Sequence, residues 1–99
     1  MMKKIAVVSP RQRAFDQYVR NIYENTDGDK SIQFLGRKIV IEDSNGEAAY
    51  FHVGSIEDVR GREFNAYTLL YFAYDVPDFG AIVDRFESRG VIQQQPSTQ

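Results

Sequence analysis

The stretch Phe64 to Asp75, FNAYTLLYFAYD, constrains the fold more than any other, because it alone runs eight consecutive positions, Ala66 to Ala73, without a charge, Gly or Pro. Aromatic and β-branched residues over such a length read as a strand covered on both faces. It is therefore expected in the middle of a sheet with helices packed on it. With 99 residues and no Cys, the chain can make one domain with a modest core, without a disulfide framework or a thiolate site.

Around this stretch the remaining elements follow in order. Lys4 to Val8, KIAVV, reads as a first buried strand. Ser9-Pro10-Arg11-Gln12 has the form of a capping box, with Ser9 at N-cap, Pro10 at N1 and Gln12 reaching back, so a helix is expected to start there. Its apolar stripe is Phe15, Tyr18, Val19 and Ile22, and the turn-rich NTDGDK segment ends it near Asn25. Ile32 to Leu35 is a short apolar piece of undetermined type.

Arg37 to Asp43 and Glu47 to Val53 alternate in hydrophobicity on either side of Ser44-Asn45-Gly46, so they are expected to form a hairpin turned by Asn45-Gly46. That pairing sets Ile39 and Ile41 on one face with Ala49, Phe51 and Val53 and turns His52 away from it. His52, the only histidine, has no partner at ligand spacing and reads as a surface or cross-strand residue, not a metal ligand. Ser55 to Asp58 caps a short helix that Gly61 stops. Phe79, Ile82, Val83 and Phe86 mark a final helix closed by Arg89-Gly90. The expected architecture is α/β, a two- or three-layer sheet of about four strands with two main helices and one short helix. A single domain is expected over residues 1–91, with a disordered polar tail over 92–99.

Charge is unevenly placed. Met1 to Tyr23 holds Lys3, Lys4, Arg11, Arg13 and Arg20 against Asp16, a net of +4, which leaves −6 for the rest of a chain whose total is −2. Those five cations are the candidate contacts for an anion or nucleic acid, aided by free N–H groups where the first helix follows the first strand. The strand-to-helix loop has no glycine, which excludes a P-loop cradle. Nucleophilic catalysis lacks a Cys, and the sole His has no Ser nearby in sequence. Asp75 and Asp78, at the end of the apolar stretch, are the best placed acids for an enzymatic reading, with Arg60 as an anion holder. No cofactor is expected. The leading MMKKIAVVSP has only Ile5 to Val8 as an apolar run before Arg11 and Arg13, so it does not read as a signal peptide, and a cytoplasmic location with no membrane contact is expected.

The order of four pieces, IAVVSPRQ, IVIEDSNGEAAYFHV, SIEDVRGREFN and YTLLYFAYDVP, resembles the ATPase core of phage large terminases and related helicase-type P-loop NTPases. On that resemblance the acidic pair that would order magnesium and water falls on Tyr71 and Phe72, and the phosphate-binding loop is missing. The implication is a P-loop-like α/β scaffold of phage origin that has lost its phosphate grip and metal ligands.

The expectation that follows is a noncatalytic protein-binding module, a phage-encoded modulator or inhibitor of a bacterial protein or defence complex. Six tyrosines in 99 residues favour an interface, with Tyr50, Arg60, Tyr74, Asp75 and Asp78 as its candidate residues. The alternative is weak nucleic-acid binding through the basic N-terminal strand and helix, against which the sequence pI near 5.3 counts. A homodimer is a further expectation, since a small sheet leaves an edge that a second copy can cover.

Overall fold

The computed structural model describes residues 2–94. Six strands form one mixed sheet: β1 (Met2–Val8), β2 (Ser31–Leu35), β3 (Lys38–Asp43), β4 (Gly46–Val53), β5 (Ala66–Leu69) and β6 (Ile92–Gln94), in spatial order β2-β3-β4-β1-β5-β6. Strands β4, β1, β5 and β6 run parallel, whereas β2, β3 and β4 form an antiparallel meander. Two helices, α1 (Gln12–Glu24) and α2 (Phe79–Ser88), and two 3-10 turns, Ile56–Val59 and Ala73–Asp75, complete the chain. Six strands replace the four expected, because Ile32 to Leu35 pairs with β3 and Ile92 to Gln94 pairs with β5. No helix among the described residues is long and apolar enough to cross a membrane.

The two helices lie on opposite faces, and β1 shows why. Side chains alternate along a strand, and here Ala6 and Val8 join one apolar cluster with Ile82 and Phe86 of α2, while Ile5 and Val7 join another with Phe15 and Val19 of α1. All four β1 residues are buried, three of them at 0% exposure. The result is a three-layer α/β/α arrangement in which β5, from the Phe64–Asp75 stretch, is an interior strand as expected, with Ala66 in one apolar cluster and Tyr67 in the other, and β1 beside it is the longer interior strand.

That stretch forms only four residues of strand because its partner runs out. Leu69 pairs with Val8, the last residue of β1, and after the Leu70 N–H has bonded the Val8 carbonyl, no strand among the described residues continues the ladder. The chain then folds back, with the Ala73 N–H bonding the Leu70 carbonyl at 2.9 Å.

The start of α1 also differs from its sequence signature. Ser9 is fully buried, its N–H bonds the Val53 carbonyl, and its hydroxyl donates to the Arg11 carbonyl, so it extends the sheet and does not cap the helix. Arg11 takes the N-cap position, and the Gln12 side chain reaches to the Gly36 carbonyl.

The β3–β4 hairpin is tighter by one residue than expected. Asp43 pairs directly with Gly46, leaving Ser44 and Asn45 in the turn, and only Gly46 carries a positive φ, of 126°. The Asp43 carboxylate accepts the Asn45 N–H at 2.8 Å, which offsets the missing Asn-Gly geometry. A one-residue slip exchanges faces. Ile39 and Ile41 therefore stand with Tyr50 and Ala48 on the α1 face, and Phe51 turns to the other side.

The expected polar tail over 92–99 begins as β6, and its remaining residues, 95–99, lie outside the described ones. Gly90, at φ 73°, ends α2 as Arg89-Gly90 suggested. Phe86 is the central contact of the α2 face, stacked on Tyr67 at 4.6 Å and edge-on to Phe64 at 5.9 Å. Phe86→Ala is expected to cost about 3–5 kcal/mol in urea unfolding, a large share of a domain's stability. Tyr71→Ala should change it by no more than about 0.5 kcal/mol, because that ring is 82% exposed.

Candidate functional site

The four parallel strands end on one side of the sheet, and the loops that follow β1, β4 and β5 gather there. After β1 the chain passes to α1 on one face; after the neighbouring β5 it passes to α2 on the other. Such a switch point opens a crevice at the carboxyl ends of the strands, where open α/β sheets place their ligands. Here it holds a cavity of about 630 Å³ lined by Pro10, Arg11, Ala14, Tyr71, Phe72 and Asp75.

The wall contributed by the β5–α2 loop is aromatic. Ala73 and Val76 are buried beneath it, at 3% and 2% exposure, and three 3-10-type bonds close it, from the N–H groups of Ala73, Asp75 and Val76. Pinning Ala73 and Val76, three positions apart, inward turns the residues around them out. Tyr71, Phe72 and Tyr74 are 82%, 48% and 68% exposed, with ring centroids 4.3 Å apart for the first pair and 6.4 Å for the second. Phe72 sits in the left-handed region at φ 67° and ψ 19°, a conformation that costs a side-chain-bearing residue about 1–2 kcal/mol. A bulky ring held there and exposed is strain with no gain for the core, and such strain concentrates at functional sites.

Polar groups at the crevice are few. Arg11 and Asp75 line it, and neither makes an ion pair with a described residue. Asp78, the residue before α2, is also exposed and left-handed, at φ 62°.

Beside the crevice, a chain of hydrogen bonds running from the exposed Arg37 to the buried His52 ties three loops together. The Asp58 carboxylate accepts from the Gly54 N–H, the Ser55 N–H and the Arg37 guanidinium at 2.8, 3.1 and 2.8 Å. The same Arg37 nitrogen donates to His52 Nδ1 at 2.9 Å, and His52 Nε2 bonds the Ser9 carbonyl at 3.0 Å. A carbonyl only accepts and a guanidinium only donates, so the ring is neutral with its proton on Nε2. Gly54 leaves room for this packing: a Cβ there would lie 3.2 Å from His52 Cε1 and 3.3 Å from Arg37 Nη2, so the two side chains would have to give way slightly.

His52, expected as a surface or cross-strand residue, is 7% exposed and partners Arg37, with its ring 5.4 Å from Phe15. It lies opposite in phase to Phe51, as the alternation required, but α1 covers that face. Both ring nitrogens are engaged, so the cluster is a brace between loops. Among the described residues no three His, Asp or Glu side chains converge as metal ligands would.

The structure separates most residues singled out from the sequence. Lys3 and Lys4 lie near the amino end of β1, about 16 Å of strand from Ser9 at its other end. Arg11 and Arg13 lie at the carboxyl end, at the start of α1, whereas Arg20 stacks over Phe34 of the outer strand at 4.7 Å. The five cations therefore do not form one surface. Tyr50 is buried against α1, and burial, with Tyr18 and Asp43 nearby, pushes its hydroxyl up to about 12, so it is no interface residue in the folded monomer. Arg60 pairs with Glu57 at 2.9 Å on the 3-10 turn after β4. Tyr74, Asp75 and Asp78 do share the β5–α2 loop. Tyr71 and Phe72 were hidden in sequence inside an assumed strand, although a run far longer than the usual 5–6 strand residues was a signal that part of it does something else.

Compared with protein-family models, curated proteins and solved structures, the chain gives no significant match.

Burial is the main cause that lowers the His52 pKa from its ordinary 6.5; the Arg37 charge acts the same way, while the Ser9 carbonyl and the Asp58 and Asp16 carboxylates oppose it. A lowered folded value means that the unfolded chain takes the proton first. The stabilisation is complete above pH 6.5 and is lost progressively below it, until the folded value is reached. Urea unfolding between about pH 8 and about pH 5 should show this decline, and His52→Asn should reduce its slope.

Proposed function

We propose that this chain is a noncatalytic protein-binding module that docks through Tyr71, Phe72 and Tyr74. The observation that carries the reading is the exposed aromatic loop at the switch-point crevice, braced from below and holding Phe72 in a left-handed backbone. Exposed apolar clusters on a small domain mark interaction sites, and Tyr is enriched at binding hot spots. Arg11 and Asp75 at the rim would set orientation, so the fitting partner is a protein with an apolar pocket flanked by charges of both signs.

In the terminase-like alignment, Tyr71 and Phe72 stand where the metal-binding acids would be. Replacement of acids by aromatics at the same carboxyl end of the sheet is consistent with a scaffold turned from hydrolysis to binding. In this reading the chain is a phage-encoded modulator or inhibitor and its target is a bacterial protein or defence complex. Nucleic-acid binding through Lys3, Lys4, Arg11, Arg13 and Arg20 is disfavoured because those residues are spread over both ends of the sheet and the outside of α1.

The test compares tagged wild type with Tyr71→Ala/Tyr74→Ala and with Phe72→Gly in a nuclease-treated bacterial lysate. Wild type should retain a discrete protein, and both variants should lose at least about tenfold of it. Phe72→Gly should meanwhile keep or gain stability, by up to about 1 kcal/mol, since glycine relieves the left-handed strain. Retention that is equal in the variants, or that vanishes on nuclease treatment, would sink the reading. Size-exclusion chromatography of the same samples decides whether the partner is a second copy.

A further inference from the structure

At the amino end of the sheet, away from the aromatic loop, a second cavity of about 430 Å³ opens between the lead-in to β5 and the end of α2. Its apolar lining is Val59, Phe64, Phe86 and Val91, and its charged lining is Arg62, Glu63, Arg85 and Arg89. The size is that of a small-molecule site, but half of the lining residues are charged, which suits a charged ligand.

The charges of this cavity are not balanced. The lining holds three arginines and one glutamate, a formal +2, and the ion pairs of the described residues, Arg37–Asp58 and Arg60–Glu57, involve none of the four. Arg85 and Arg89 are one helical turn apart on the same face of α2, a spacing at which like charges repel. Arg85 Nε is shut off from solvent and has no hydrogen-bond acceptor. Cations in a last helical turn can be explained by the helix dipole. That account covers neither Arg62, which arrives from a different segment, nor a shielded N–H with nothing to donate to. Arg62 is furthermore positioned by its stacking over Phe51, at 5.3 Å.

We infer that this cavity binds a phosphomonoester carried on a planar ring, of the size of a nucleoside monophosphate. The ring would lie against the half-buried Phe64, and the phosphate would take the forks of Arg62, Arg85 and Arg89. A phosphomonoester near neutral pH carries nearly two negative charges, which matches the +2 lining better than the single charge of a carboxylate. Guanidinium forks match phosphate oxygens bidentately, and the shielded Nε gains an acceptor. Glu63 opposes the ligand and tempers its affinity.

The probe is AMP, titrated into the full chain at low salt and followed by calorimetry and by amide chemical shifts, with adenosine and inorganic phosphate as separate arms. AMP should bind with a dissociation constant below about 1 mM, and each half-ligand at least about tenfold more weakly. Shifts should centre on Phe64, Arg85 and Arg89. Arg85→Gln/Arg89→Gln should weaken AMP by at least about tenfold, whereas Glu63→Gln should tighten it severalfold. A gain in affinity from Glu63→Gln cannot come from loss of folding. Tyr71→Ala/Tyr74→Ala should leave AMP binding unchanged, which separates this site from the aromatic loop. No binding at about 10 mM AMP, equal affinity in the arginine variant, or inorganic phosphate held as tightly as AMP would overturn the inference.

Discussion

Everything in this small domain depends on β1 being buried on both faces. Ile5, Ala6, Val7 and Val8 alternate between the two apolar clusters, and their backbones pair with β4 on one side and β5 on the other. This one strand therefore joins the two halves of the sheet and the two helix layers. Its end also sets the end of β5, because Leu69 has no partner past Val8. The aromatic loop begins where that pairing stops. Fold and candidate site are thus linked by a single register.

The two ends of the sheet have different chemistry. At the carboxyl end, short buried residues, Ala73 and Val76, hold a loop whose large rings point outward, and the Asp58–Arg37–His52–Ser9 chain steadies the loops beside it. At the amino end, cations from two segments surround an aromatic-walled cavity. The first suits a protein surface and the second a compact anion. A formal net charge of −2 conceals this division, because three arginines without an ion pair, Arg62, Arg85 and Arg89, line the amino-end cavity beside a single acid.

Much of this could be read from residue pattern. The α1 stripe of Phe15 and Val19, the α2 stripe of Ile82 and Phe86, the hairpin and the Gly90 helix stop follow from local spacing and turn chemistry, and all are present. The errors arose where a neighbour decides the outcome. An apolar run such as AYTLLYFAY reads as one long strand, yet strand length depends on where the partner stops. Ser9 carries a capping signature, but the sheet claims its N–H and buries its side chain. The hairpin slipped by one residue because Asp43 bonded the turn, which exchanged the places of Tyr50 and Phe51. The anion cavity joins Arg62 to Arg85 and Arg89 across 23 and 27 positions of chain, a proximity no local pattern carries.

The central claim is that the loop after β5 is the docking surface, and a photo-cross-linker tests it in place. A benzophenone side chain substituted at Tyr71 should, in nuclease-treated lysate, form an adduct with one discrete protein. The same group at Gln17, exposed on the outer side of α1, should form none. Adducts of equal yield from both positions, or none from Tyr71, would contradict the account.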